Sequence, residues 1–146
     1  MMKEGEALQF KHGDTITAAD VVLLVEEKEC NRDRVRYLGK LAQSIEDNYK
    51  QKGIRDVRFS VVAFGGDDIH SAPHVHTLDG QISGPLRSLE SAIESLQFGD
   101  GPVNILEALR YAASLNFRPG TTKSFVLLKC STCKSEEVKV CIVCIF

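Results

Sequence analysis

Residues 19–30 read ADVVLLVEEKEC, and the fold turns on how that run is read. Its centre, Val21 to Val25, is an unbroken series of valine and leucine. A strand with one wet face alternates apolar and polar residues, whereas a strand covered on both faces does not. The run is also far shorter than the ~20 apolar residues that cross a bilayer. It then breaks into Glu26, Glu27, Lys28, Glu29 and Cys30, so charges and a thiol leave the strand at its carboxyl end.

Working outward, the next segment is NRDRVRYLGKLAQSIEDNYKQKGI, residues 31–54. Val35, Leu38, Ala42, Ile45 and Tyr49 step along one helical face. Asn31 is placed to cap the start, and Gly53 followed by Ile54 fits a C-terminal stop. VRFSVVAFGG, 57–66, is a second buried strand, and HVHTLD, 74–79, alternates like a short edge strand. PLRSLESAIESL, 85–96, is a helix with Pro85 in its first turn and Leu86, Leu89, Ile93 and Leu96 on one face. After the break GDGPV, Asn104 and Glu107 resemble a capping pair for the helix NILEALRYAASL. PGTTKSFVLLKCS supplies a turn and a further apolar strand at 124–128.

Helices between fully apolar strands predict an α/β chain, a Rossmann-like, doubly wound, mainly parallel sheet. Ligands in that layout sit beyond the carboxyl ends of the strands. The tail KVCIVCIF, 139–146, reads as one more strand. The connection before it is shorter than the dozen or so residues of a parallel crossover, so it pairs antiparallel as a hairpin, lies at an edge, or is a displaced end. Three parts result: a loose leader at 1–18, the α/β domain at 19–131, and a cysteine-rich tail at 132–146.

The chain has 146 residues, enough for one core, with 43% apolar and 26% charged residues. A net charge of −2 and dispersed lysines and arginines point away from nucleic acid, and direct membrane insertion is not expected. The first residues, MMKEGEALQFKHGD, have no apolar core of a signal peptide. The chain then reads either as intracellular or as a piece of a larger secreted protein.

The strand at 21–25, the amphipathic helix after it, VRFSVVAFGG, NILEALRYAASL and KSFVLLKCS together resemble the von Willebrand factor type A domain. The match covers roughly residues 19–131, and NILEALRYA after a glycine-rich break is its most specific piece. The resemblance implies a metal-ion-dependent adhesion site with D-x-S-x-S after the first strand, a threonine before the LEAL-type helix, and an aspartate after the fourth strand. Those positions fall on Glu26, Lys28, Cys30, Val103 and Cys130. Mg²⁺ wants hard oxygen ligands; Val103 has none, Lys28 repels a cation, and thiols prefer soft ions. The expectation is a degenerate site without metal or cofactor, in which Lys28 pairs with Glu26 or Glu27. The family continues past the fourth strand, so this chain reads as truncated, with an apolar C-terminal edge open to self-association. The degenerate site and CSTC after the fourth strand are also similar to type A modules of large secreted lipid-carrying proteins of the insect lipophorin and vitellogenin kind.

The five cysteines leave several readings open. Cys130, Cys133, Cys141 and Cys144 form two C-x-x-C pairs, a candidate four-thiolate zinc set whose spacing is short for zinc knuckles. Alternatively Cys130 bonds Cys133, or one of them bonds Cys30 or the tail, or the thiols stay reduced and buried. A bridge from Cys30 to Cys130 would cross the vacant metal position. His70, His74 and His76 form H-x-x-x-H-x-H; an extended backbone puts His74 and His76 on one face, as in some metal pairs, but the expectation is an exposed loop and polar filler. No nucleophile elbow, zincin, Walker or dinucleotide motif is present, and no His is fixed beside a thiol, so no enzymatic activity is expected.

The reading is a non-enzymatic module binding a protein partner through the loops 26–31, 65–70, 99–104 and 129–133, with Lys28, Asp67, Asp68, Asp100 and Asn104 on that rim. Its expected setting is extracellular, inside a secreted lipid-transport chain, with a cytoplasmic protein as the alternative. The rivals are a zinc or redox protein working through the tail cysteines, and a fragment with no independent function.

Overall fold

The computed structural model describes residues 17–69, 71–130 and 141–145. The unbroken apolar run becomes β1 (Ala18–Glu26), the central strand of a five-stranded sheet. It runs parallel to β2 (Asp56–Phe64) on one side and to β4 (Thr122–Lys129) on the other. The short β3 (His74–His76) lies antiparallel on β2, and β5 (Cys141–Ile145) lies antiparallel on β4, giving the order β3-β2-β1-β4-β5. Of the alternatives open for the tail, an antiparallel strand at the sheet edge is what the chain forms. Strand order reverses between β1 and β4, the switch point where doubly wound sheets open a crevice.

Both faces of β1 are covered, as the missing alternation requires. Val21, Leu23 and Val25 pack with Phe59, Val61 and Ala63 of β2 under α1 (Leu38–Gln51) and α2 (Leu89–Glu94). Val22 and Leu24 point the other way, to Val62, Phe64 and α3 (Ile105–Ala113), whose Ala108 and Ala112 are fully buried. Each such valine or leucine removed from water stabilises the fold by about 1.5–3 kcal/mol.

Local signals fared unevenly. Gly53 ends α1 with φ +88, and Ile54 N–H donates back to Tyr49 O, the expected Schellman-type stop. Asn104 caps α3, its Oδ1 accepting from Glu107 N at 3.0 Å. Asn31 is a correction: it lies inside a 3₁₀ turn at Glu29–Asn31, and α1 starts only at Leu38. The 85–96 segment is also shorter than its pattern, a 3₁₀ turn at Leu86–Ser88 followed by the six residues of α2. The leader expected at 1–18 lies mostly outside the described residues, and β1 begins at Ala18.

At the amino end of the sheet, Arg118 clamps two strands. Its guanidinium donates to Asp20 Oδ1 at 2.8 Å and to Asp56 Oδ2 at 2.6 Å. Ligands of doubly wound sheets sit at the opposite, carboxyl end. Among the described residues no helix is long and apolar enough to cross a membrane.

Candidate functional site

The loops leaving β1, β2 and β4 meet at the carboxyl end of the sheet. Glu27 N–H donates to Phe64 O, Gly99 N–H to Glu27 O, and Gly101 N–H to Gly66 O. A Cβ on Gly99 would lie 2.9 Å from Asp67 N, and Gly101 sits closer still to the 66–67 backbone. The G-x-G spacing at 99–101 therefore lets two loops press together, which any side chain there would prevent.

Glu26 and Glu27 leave β1 on opposite faces. Glu26 continues the Val22 and Leu24 side toward α3 and is fully buried. Its Oε1 accepts from Cys130 N at 2.9 Å, while its buried Oε2 has no partner among the described residues. Cys30 and Cys130 form a disulfide, with Cα atoms 6.1 Å apart and 100 residues between them in sequence. Asn31 is buried beneath them, its Nδ2 donating to Glu26 O at 2.8 Å and to Leu128 O at 3.3 Å. It ties the ends of β1 and β4 and does not cap a helix. Lys28 Nζ donates to Gly101 O at 2.8 Å. The expected ion pair of Lys28 with Glu26 or Glu27 is not formed, because that carbonyl closes the loop over the ammonium. Val103 packs beside Gly65, whose added Cβ would sit 3.0 Å from Val103 Cγ2.

Glu26, Cys30 and Cys130 offer ligand atoms within 4.8 Å of one another. With both sulfurs in a bridge, neither is a thiolate, so this trio offers a cation one carboxylate. The bridge takes Cys130 out of the C-x-x-C set. Cys133 lies outside the described residues, and Cys141 and Cys144 lie in β5.

Glu27 continues the face of Leu23 and Val25, under α1 and α2, and its side chain is 0% exposed. His74 and His76 arrive from β3 opposite Ala63 and Val61, residues of that same face. His74 Nε2 lies 2.8 Å from Glu27 Oε1, and His76 Nε2 lies 3.0 Å from Oε2. Gln97 N–H donates to Oε2 at 2.6 Å. Burial pushes the Glu27 carboxyl up, but the hydrogen bonds from His74, His76 and Gln97 together outweigh it and hold it at about 2. The bond to Glu27 raises His74 above the ordinary imidazole value, against the opposing effect of burial. These two histidines are not polar filler: the edge strand turns them inward onto a buried carboxylate. Their same-face spacing was readable, whereas Glu27 as partner was not. His70 lies outside the described residues.

Asp67, Asp68, Asp100 and Asn104 are exposed on the rim, with Asp67 Oδ1 accepting from Ile69 N–H and Asn104 Oδ1 used by the α3 cap. Comparison with protein-family models, with curated proteins and with solved structures found no match.

Proposed function

We propose that the chain is a metal-independent interaction module of the von Willebrand factor type A class. Its carboxyl-end rim binds a protein partner directly, and the extracellular setting of a secreted lipid-transport protein fits it. The observation that carries this reading is the Cys30–Cys130 bridge over Glu26. At the positions where such a domain would offer oxygens to Mg²⁺, the chain offers a disulfide, a valine and a lysine already bound to a carbonyl. An adhesion surface that no longer bridges through a metal must use its own charges, and Asp67, Asp68 and Asp100 stand exposed around the closed pocket. The disulfide also suits an oxidising compartment.

Calorimetry with Mg²⁺ and Mn²⁺ should give no heat of binding; a micromolar affinity abolished by Glu26→Ala would overturn the metal-free reading. Partner capture from extracellular fluid should survive EDTA and be lost when Asp67, Asp68 and Asp100 are all changed to Lys. Capture that needs a divalent ion, or that ignores the three reversals, would count against the rim.

A further inference from the structure

The rim reading makes no use of the cluster under α1 and α2. We infer that Glu27, His74 and His76 bind a divalent transition-metal ion of the zinc class, through Nε2 of both imidazoles and one oxygen of the carboxylate. The three ligand atoms already lie within 4.8 Å of one another.

The tautomers are decided by the outer partners. His74 Nδ1 lies 2.7 Å from Ala72 O, which can only accept, so Nδ1 carries a proton. His76 Nδ1 lies 2.7 Å from Ser95 Oγ, whose own proton goes to Ala92 O at 2.8 Å, so the hydroxyl accepts from Nδ1. In each neutral imidazole Nε2 is then a bare lone pair, 2.8 Å (His74) and 3.0 Å (His76) from a carboxylate oxygen. Two lone pairs facing an anion repel unless positive charge lies between them. Two added protons would supply it; so does one dication placed among the three groups. Metal-binding histidines characteristically hold their second ring nitrogen to a carbonyl or similar acceptor, and both of these do.

Bonds of about 2.0–2.1 Å at tetrahedral angles put ligand atoms ~3.3 Å apart. The present 2.8 and 3.0 Å separations require a small opening of the cluster. Metal on Oε1 leaves Oε2 with Gln97 N–H. Two imidazoles and a carboxylate suit zinc, nickel, copper or iron and not Mg²⁺ or Ca²⁺, which want oxygen throughout. Three protein ligands leave a fourth position of a tetrahedral ion for water.

The inference stands apart from the type A reading, since it uses none of Lys28, Asp67, Asp68, Asp100 and Asn104. The test uses the full chain with Cys133, Cys141 and Cys144 changed to Ser and the Cys30–Cys130 bridge kept, so that tail thiolates contribute nothing. Zn²⁺ competed against a chromophoric chelator should bind one equivalent with micromolar or tighter affinity. Co²⁺ should give a visible spectrum without thiolate charge transfer. His74→Ala leaves His76 on Glu27 and so keeps the fold by circular dichroism; it should weaken Zn²⁺ at least ~10-fold, and His76→Ala likewise. Binding no tighter than millimolar, or affinity unchanged in folded His74→Ala, would overturn the inference.

Discussion

Glu26 and Glu27 are neighbours in the chain, both fully buried, and met by opposite means. Glu26 faces α3 and is met by one backbone N–H, with a disulfide closing the space beside it. Glu27 faces α1 and α2 and is met by two imidazoles and a second backbone N–H. One side is closed by covalent and apolar means; the other keeps cationic or metal-accepting groups. The period of two along a strand makes this division possible, because one residue step carries a carboxylate through the sheet. It also means that loss of one side's chemistry need not disturb the other's.

The strongest way to break the contrast is to remove the bridge. Cys30→Ala with Cys130→Ala should lower stability by about 4.7 kcal/mol, the loop-closure value for a loop of this length, in denaturant titrations. Zinc affinity at Glu27 should be unchanged. Next, Glu27→Ala leaves two imidazoles and an amide facing an emptied pocket and should cost about 3 kcal/mol. The matched pair Glu26→Gln and Glu27→Gln sharpens the comparison further. Glu27→Gln should cost about 2 kcal/mol by weakening charge-assisted bonds, whereas Glu26→Gln keeps the single acceptor and should shift stability by less than about 1 kcal/mol. Equal effects would mean that the two sides are not electrostatically distinct. Smallest, Ser95→Ala should leave stability within about 0.5 kcal/mol yet weaken zinc ~10-fold, by freeing the His76 ring.

Much of the sheet was legible because burial on both faces writes itself as an apolar run. The segments 21–25, 57–64 and 124–128 all lie side by side, and the tail pairs antiparallel because its connection is short. The type A resemblance implied that residues 26, 30 and 130 share one site, and β1 and β4, parallel and ending at one level, do bring them together. Asn31 misled because the same side chain that caps helices also bonds carbonyls, and the 3₁₀ turn turned it inward. Glu27 with His74 and His76 could not be read in advance. The contact depends on the register of a three-residue strand, and alternation gives a shared face without saying which one. Arg118 with Asp20 and Asp56 was missed for a similar reason, since 98 and 62 residues separate the partners and no local pattern marks them.

The Cys30–Cys130 bond encloses β2, β3, β4 and the three helices in a covalent ring. When the chain is pulled from its two ends, tension passes through the sulfurs and bypasses that ring. Shear or stretch can then peel away β1 and the segment after Cys130, while the enclosed length cannot be drawn out until a reductant cuts the link.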